Sequence, residues 1–231
     1  TTGGTVVTDY WNSTNTGLTI TVPIDDDSSL TDGTVQLKVK VNTGSYQNLG
    51  NSSTIVSGDI NNNKTISVDA NTLESINSFL ENVNLTFTAD ITDGVGNGPT
   101  TGATSNNILH VDQTAPTAAI TYNSTGPYKN GEIVVITATF NEDISDNPVM
   151  QIAIAGSGIA NVNATNMAKT SSTVYTYDYS VPTGDGTGTI TLSTGTDLAG
   201  NVITTPTTNH TFTVDNIVPT ISSTSLASDN S

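Results

Sequence analysis

Acidic and amide side chains at predicted turns are the residues of this chain best placed to do chemistry, and that chemistry is cation binding. Calcium takes about six to eight oxygen ligands, which carboxylates, amides and backbone carbonyls supply. The candidate ligands are Asp112, Glu142, Asp143, Asp197 and Asn201 in the second half of the chain, and Asp25, Asp26, Asp27, Asp93 and Asn97 in the first half. They lack the spacing of an EF-hand loop, so the fold would have to bring them together. The alternative is that they only form turns, because Asp and Asn hydrogen-bond to nearby backbone there.

The net charge limits the classes of partner that this chain can bind. It has 21 acidic and 5 basic residues, a net charge of −16. Nucleic acid is excluded as a partner because phosphate contacts need Lys and Arg, whereas cations are favoured. The sequence has no apolar run of about 18 residues or more, so it does not predict membrane insertion. The chain has two histidines, His110 and His210, and no cysteine. With no cysteine, only two histidines and no deep cleft expected in two small sandwiches, we expect no enzymatic activity.

An internal repeat organises the chain. Val111, Asp112 and Pro116 recur as Val214, Asp215 and Pro219, each 103 residues later. Residues 92–97 (Thr-Asp-Gly-Val-Gly-Asn) recur at 196–201 (Thr-Asp-Leu-Ala-Gly-Asn), 104 residues later. Each copy has the common domain size of about 100 residues. The repeat predicts domains at 1–112 and 113–216, with 217–231 opening a further copy, so we expect this sequence to be cut from a longer array.

Alternating apolar and polar residues predict short strands throughout the chain. In the second copy, seven strands are expected near 118–122, 134–140, 149–154, 159–167, 174–181, 190–192 and 212–214. The first copy differs in residues 71–82, where helical spacing and a capping box of Asn71 with Glu74 predict one short helix. The predicted fold is all-β: two tandem immunoglobulin-like Greek-key β-sandwiches, the first with this extra helix. A jelly roll or a small barrel is the alternative.

The predicted fold places the candidate ligands. In a seven-stranded sandwich, the connections between strands two and three and between strands six and seven lie at the end where the chain enters. We therefore expect the linker residue Asp112 to converge with Glu142 and Asp143 of the first connection and with Asp197 and Asn201 of the second. Two carboxylates about 5 Å apart repel by roughly 3 kcal/mol at an effective dielectric near 20, a cost that calcium would remove. The first-copy set would lie at its own equivalent end.

Four motifs together resemble the bacterial immunoglobulin-like repeats of large cell-surface proteins, including adhesins. They are Asp-Gln-Thr-Ala-Pro at 112–116, Thr-Phe-Asn-Glu-Asp at 139–143, Tyr-Thr-Tyr-Asp-Tyr-Ser-Val-Pro at 175–182 and Asp-Leu-Ala-Gly-Asn at 197–201. They cover nearly the whole second copy, while the first copy has Asp-Asp-Asp at its turn and lacks the tyrosine strand. The resemblance implies an extracellular, non-enzymatic module in a tandem array, often with calcium at or near the junctions.

Three functions are compatible with these observations. The first is a calcium-stiffened adhesin stalk whose partners are the neighbouring repeats of the same chain. The second is a module of a surface-layer lattice. The third is a module that binds a surface glycan or a protein through the first-copy loops or through Trp11, which follows Tyr10 and could stack on a sugar. Against the third, a lone tryptophan in such a chain is expected to pack in the core.

Overall fold

The computed structural model describes residues 1–206 and 208–223, and in them the chain is all-β, as predicted. The chain divides into two compact units, one of Thr1–Ala115 with Thr196–Asn201 and one of Pro116–Gly195 with the chain from Val202 onward. The loop Thr196–Asn201 therefore belongs to the first unit, although it lies within the second repeat in sequence. Of the further copy predicted at 217–231, residues 217–223 form no strand and residues 224–231 lie outside the described part of the chain.

The first repeat forms short strands and one helix. The strands are β1 (Tyr10–Trp11), β2 (Gly17–Pro23), β3 (Thr34–Val41), β4 (Gln47–Asn48), β5 (Ser53–Thr54), β6 (Asn63–Asp69), β7 (Asn84–Thr92), β8 (Thr100–Thr101) and β9 (Leu109–Val111), and the helix is α1 (Ala70–Glu74). Two 3-10 turns lie at Ser28–Leu30 and Ser57–Asp59.

In the residues that the structure describes, no helix is long and apolar enough to cross a membrane.

Two sheets of the first unit enclose one core. The larger sheet has the order β1-β9-β7-β3-β4, with β5 beside β3 and β8 beside β7. In it β1 runs parallel to β9, so that Trp11 lies opposite Val111. The second sheet is the antiparallel pair β2 and β6. Buried side chains of both sheets, among them Trp11, Leu18 and Leu37, form a single apolar cluster. This layering is that of a β-sandwich.

The alternation in the sequence sets the faces of these strands. In β3, Val35, Leu37 and Val39 point inward and are at most 1% exposed. Lys38 and Lys40 alternate with these residues and are partly buried on the opposite face. β-Branched residues on one face of a pleated strand pack well against the facing sheet. The alternation of apolar and polar residues that predicted β3 therefore matches the alternation of buried and partly buried side chains along it.

The predicted helix is present but is shorter than expected and is capped differently. Helix α1 spans only Ala70–Glu74, and its N-cap is Asp69, whose carboxylate accepts a hydrogen bond from the Thr72 backbone N–H at 2.8 Å. The capping box predicted for Asn71 and Glu74 is therefore wrong, because Asn71 lies inside the helix. Glu74 instead accepts a hydrogen bond from Trp11 Nε1 at 3.0 Å. The helix ends early because Ser78 has a positive φ of 65° and the following Ser and Asn residues are poor helix formers.

The second repeat forms ten strands within the described residues. They are β10 (Ala118–Tyr122), β11 (Ile133–Phe140), β12 (Ile144–Ser145), β13 (Gln151–Ser157), β14 (Val162–Asn166), β15 (Ala168–Lys169), β16 (Val174–Ser180), β17 (Gly186–Ser193), β18 (Thr196–Asp197) and β19 (Thr211–Val214). The seven strands expected from the sequence correspond to β10, β11, β13, β14, β16, β17 and β19. The two-residue strands β12, β15 and β18 are additions that alternation could not reveal.

The second unit also encloses its core between two sheets. One sheet has the order β10-β11-β16-β15 and the other the order β14-β13-β17-β19. Their pairings are antiparallel. The tyrosine strand β16 packs into this core, with Tyr175 fully buried and Tyr179 only 3% exposed. Burial raises the pKa of both phenols.

Candidate metal centre

The loop between β17 and β19 holds the most enclosed carboxylate of the predicted ligand set. Asp197 is 2% exposed and Asn201 is 1% exposed. The Asn201 backbone N–H donates to Asp197 Oδ1 at 2.8 Å, and Asn201 Nδ2 donates to Asp197 Oδ2 at 2.8 Å. Gly200 has a φ of 93°, a left-handed conformation that lets the chain close this turn. The fold thus buries a carboxylate whose two oxygens are both hydrogen-bonded.

The same turn occurs in the first repeat, as the sequence repeat predicted. The Asn97 backbone N–H donates to Asp93 Oδ1 at 2.7 Å, and Asn97 Nδ2 donates to Asp93 Oδ2 at 2.7 Å. These hydrogen bonds hold the pKa of Asp93 below its usual value, with the Asn97 side chain as the main cause. This loop is exposed, and Asp93 Oδ1 also accepts the Val95 backbone N–H at 3.1 Å, so the hydrogen bonds that form the turn are local. The pairing of Asp197 with Asn201 is therefore explained by the turn alone.

Asp112 distinguishes the second turn from the first. Asn201 Nδ2 donates to the backbone oxygen of Asp112 at 2.9 Å and approaches Asp112 Oδ1 at 3.4 Å. A carboxylate oxygen of Asp112 lies within 4.8 Å of one of Asp197. The backbone N–H of Asp112 donates to the Trp11 carbonyl at 2.9 Å, so the position of Asp112 is fixed by the end of β1. The predicted convergence of Asp112, Asp197 and Asn201 is present within the first unit.

A polar segment after β1 holds the Asp197 loop in place. Asn12 is fully buried, and its Nδ2 donates to the Ala199 carbonyl at 2.7 Å and to the Thr5 carbonyl at 2.7 Å. Asn201 Oδ1 accepts hydrogen bonds from Ser13 N at 3.1 Å and from Ser13 Oγ at 2.9 Å. Buried amides with satisfied hydrogen bonds fix one geometry, because leaving any of them unpaired is costly.

The sequence did not predict this supporting segment. The available signal was a run of polar residues at 12–15 directly after the lone tryptophan. Asn15 Oδ1 accepts the Asn12 backbone N–H at 2.9 Å, so the run forms its own compact loop.

The geometry suits a hard cation. The oxygens that meet at this point are those of the Asp112 and Asp197 carboxylates, of the kind that calcium and magnesium prefer. Two carboxylates within 4.8 Å repel by about 3 kcal/mol at an effective dielectric of about 20, and a divalent cation would reverse the sign of this term. The Asn201 amide offsets part of the repulsion, because its Nδ2 donates to both residues while its Oδ1 accepts from Ser13. The Asp112 and Asp197 carboxylates therefore fit a metal ion.

Glu142 and Asp143, the other predicted ligands of this set, belong to the second unit. Glu142 is half-buried. Its Oε1 accepts a hydrogen bond from Asn141 Nδ2 at 3.4 Å. Asp143 is exposed.

The ligand set predicted for the first repeat does not form a comparable group. Asp25, Asp26 and Asp27 are exposed. Asp27 caps the following 3-10 turn by accepting the Ser29 backbone N–H at 2.9 Å. Hydrogen bonds from Ser29 lower the pKa of Asp27, while the nearby charge of Asp93 raises it. In the described residues, no three acidic side chains of this repeat come as close together as those of the second set, and Asp27 and the pair of Asp93 with Asn97 form local turns.

The remaining residues considered for chemistry have structural surroundings. Trp11 is fully buried, which confirms core packing and removes its ring from any sugar-binding surface. His110 is half-buried on β9, and its Nδ1 lies 2.5 Å from Asn84 Oδ1.

No protein-family model matches the chain, and no curated protein sequence is similar to it.

Proposed function

We propose that this chain is a structural, non-enzymatic segment of a large exported cell-surface protein, an adhesin-like stalk in which calcium stiffens the tandem repeats. Its partners in this role are the neighbouring repeats of the same chain. The observation that carries the proposal is the pairing of the buried Asp197 carboxylate with that of Asp112, within 4.8 Å. Asp112 lies at the sequence junction between the repeats, so a cation held there acts where one module follows the next.

Strand order supports an immunoglobulin-like module. Labelled A to G in chain order, the second unit has the sheets A-B-E-D and C′-C-F-G, which are β10-β11-β16-β15 and β14-β13-β17-β19. An immunoglobulin constant domain has A-B-E-D facing C-F-G, and variable domains extend the second sheet by C′. The first unit has the corresponding order G-F-C-C′ in β9-β7-β3-β4. This order favours the sandwich over a jelly roll or a closed barrel.

The loop Thr196–Asn201 supports mechanical coupling between successive repeats. It is part of the second repeat in sequence, yet its contacts place it in the first unit. Asn12 and Ser13 bind it directly through Ala199 and Asn201. A calcium ion on Asp112 and Asp197 would tie the same loop to the linker. With free calcium at about 100 times the dissociation constant, such an ion adds roughly 2.7 kcal/mol to stability.

A matched pair of variants makes the proposal testable by hydrogen exchange. Asp112→Asn keeps the side-chain shape and removes the charge. Asp215→Asn changes the sequence-equivalent residue, whose Oδ1 accepts the local Ile217 N–H at 2.9 Å. We expect millimolar calcium to slow exchange of the Asn201 amide in the parent chain and in Asp215→Asn, but not in Asp112→Asn. Magnesium serves as the control for ionic strength.

Equal exchange of the loop amides in calcium and in chelator would overturn the calcium part of this proposal. The acids would then be turn formers and surface charge, and a lattice module or a protein-binding module would take the place of the stiffened stalk. Lateral self-association that requires calcium would favour the surface-layer lattice.

A further inference from the structure

One carboxylate holds the chain where it leaves the first repeat. Glu81 Oε1 and Oε2 accept the Gln113 backbone N–H at 2.9 Å and 3.0 Å. Glu81 Oε1 also accepts the Thr114 backbone N–H at 3.2 Å. Gln113 and Thr114 directly follow the junction residue Asp112, and we call them the outgoing chain of the first repeat. Because hydrogen bonds to an ionised acceptor are roughly twice as strong as neutral ones, Glu81 restrains the backbone at the point where it leaves β9.

Glu74 ties the same linker residue to the core of the first unit. Its Oε1 accepts hydrogen bonds from Gln113 Nε2 at 2.8 Å and from Trp11 Nε1 at 3.0 Å. Trp11 is fully buried and lies opposite Val111 in the parallel pair of β1 and β9. Close-packed side chains in a core have little freedom to move. Gln113 is therefore held through its backbone by Glu81 and through its side chain by Glu74.

Both carboxylates lie in the connection between β6 and β7, which is longer than its equivalent in the second repeat. Glu74 is the last residue of α1, and Glu81 lies between α1 and β7. The connection takes residues 70–83, whereas the one between β16 and β17 takes residues 181–185. The two are equivalent because each leads into the strand that pairs with the closing strand, β7 with β9 and β17 with β19. The insertion of the first repeat thus brings two carboxylates to the outgoing chain.

The second repeat holds its own outgoing chain in the same way, from the shorter connection. Asp185 Oδ1 accepts the Asn216 backbone N–H at 2.5 Å. Asn216 is the equivalent of Gln113, 103 residues later (216−113), and each follows the aspartate of its junction. Asn216 Nδ2 donates to the Gly184 carbonyl, so this side chain is also bound to the connection. Two connections that differ in length and sequence place a carboxylate on the equivalent backbone N–H, which indicates a common feature of the repeats.

We propose that each repeat anchors its outgoing chain by a carboxylate of this connection, Glu81 in the first repeat and Asp185 in the second. The anchor consists only of protein groups, so it restrains the chain in the absence of metal. It goes beyond the proposed calcium site, because it acts on the residue after the junction aspartate and not on that aspartate itself. Calcium at Asp112 would then act on a linker whose path from β9 is already fixed.

Amide hydrogen exchange measured by NMR in chelator tests this proposal. In Glu81→Ala the Gln113 and Thr114 amides lose their acceptor, and we expect both to exchange at least about tenfold faster. Glu81→Gln retains a neutral acceptor and should give an intermediate rate. Asp185→Ala should accelerate exchange of the Asn216 amide to a similar degree. Each alanine variant should leave the amides of the other repeat unchanged, so that the two act as reciprocal controls.

Glu132→Ala is the matched control, because Glu132 Oε2 also accepts a backbone N–H, that of Lys129 at 3.0 Å, within a local turn. It should change none of these exchange rates. Equal exchange of the Gln113 amide in the parent chain and in Glu81→Ala would overturn the proposal. Equal acceleration of the amides of the buried strand β3 would overturn it as well, because Glu81 would then stabilise the whole first unit. Since chelator is present throughout, neither result bears on whether the chain binds calcium.

Discussion

Replacing Asp112 by Asn should stabilise the protein when calcium is absent and weaken it relative to the parent when calcium is present. The two carboxylates of Asp112 and Asp197 lie within 4.8 Å. At an effective dielectric of about 20 their repulsion is about 3 kcal/mol, an upper value because Asp112 is only half-buried. Asparagine keeps the backbone bonds of Asp112 to Trp11 and Asn201. We therefore expect a gain of about 1–3 kcal/mol in chelator.

Urea unfolding with and without calcium measures how Asp112→Asn changes stability in the metal-free and in the calcium-bound protein. In chelator the midpoint of Asp112→Asn should exceed that of the parent. In calcium at about 1,000 times the dissociation constant the order should reverse, because the variant loses a charged ligand and with it roughly 4.1 kcal/mol of binding stabilisation, more than its gain in chelator. Asp215→Asn, the sequence-equivalent control, should shift neither midpoint. A lower midpoint for Asp112→Asn in chelator would refute the reasoning, since it would mean that the charge stabilises the metal-free fold.

Three further substitutions test the surroundings of the site and the core. Asn12→Ala leaves the Ala199 carbonyl unpaired and should cost about 1–3 kcal/mol in urea unfolding. Gly200→Ala adds a Cβ at a φ of 93° and should cost at least about 1 kcal/mol by the same assay. Asp90→Asn removes the ion pair with Lys38 at 2.5 Å and should cost about 2 kcal/mol near neutral pH. Hydrogen bonds from Lys38 and then Thr101 lower the pKa of Asp90 in the folded protein. The Asp90 contribution is therefore present above the unfolded pKa of about 3.9 and is lost as pH falls through the lower folded pKa.

Each of these predictions has its own contradicting result. Unchanged stability of Asn12→Ala would mean that the loop Thr196–Asn201 does not depend on the polar segment after β1. Unchanged stability of Gly200→Ala would mean that the turn tolerates a different backbone conformation. A constant difference between the parent and Asp90→Asn down to the most acidic pH would show that the Asp90 charge is not the source of the effect.

The fold followed from local patterns in the sequence where strands were long and half-buried. Alternation located β3, β11 and β16 because their burial has the same period as their composition. Two-residue strands such as β12 left no such pattern. The helix α1 was located by apolar spacing, but its start was misplaced because Asp69, Asn71 and Thr72 all have side chains that can cap.

The candidate site was only partly predictable, for a physical reason. The turn with Asp197 and Asn201 has a local signature that the repeat made visible, and the linker position of Asp112 followed from the sandwich. The support from Asn12 depends on a hydrogen bond across 187 residues of sequence, which no local pattern encodes.

Isothermal titration of calcium into the metal-free chain measures the proposed site itself. We expect saturable binding at the Asp112 and Asp197 pair, abolished or strongly weakened in Asp112→Asn and retained in Asp215→Asn. Absence of calcium binding by the folded parent chain, or equal binding by the parent and Asp112→Asn, would rule out the proposed calcium site.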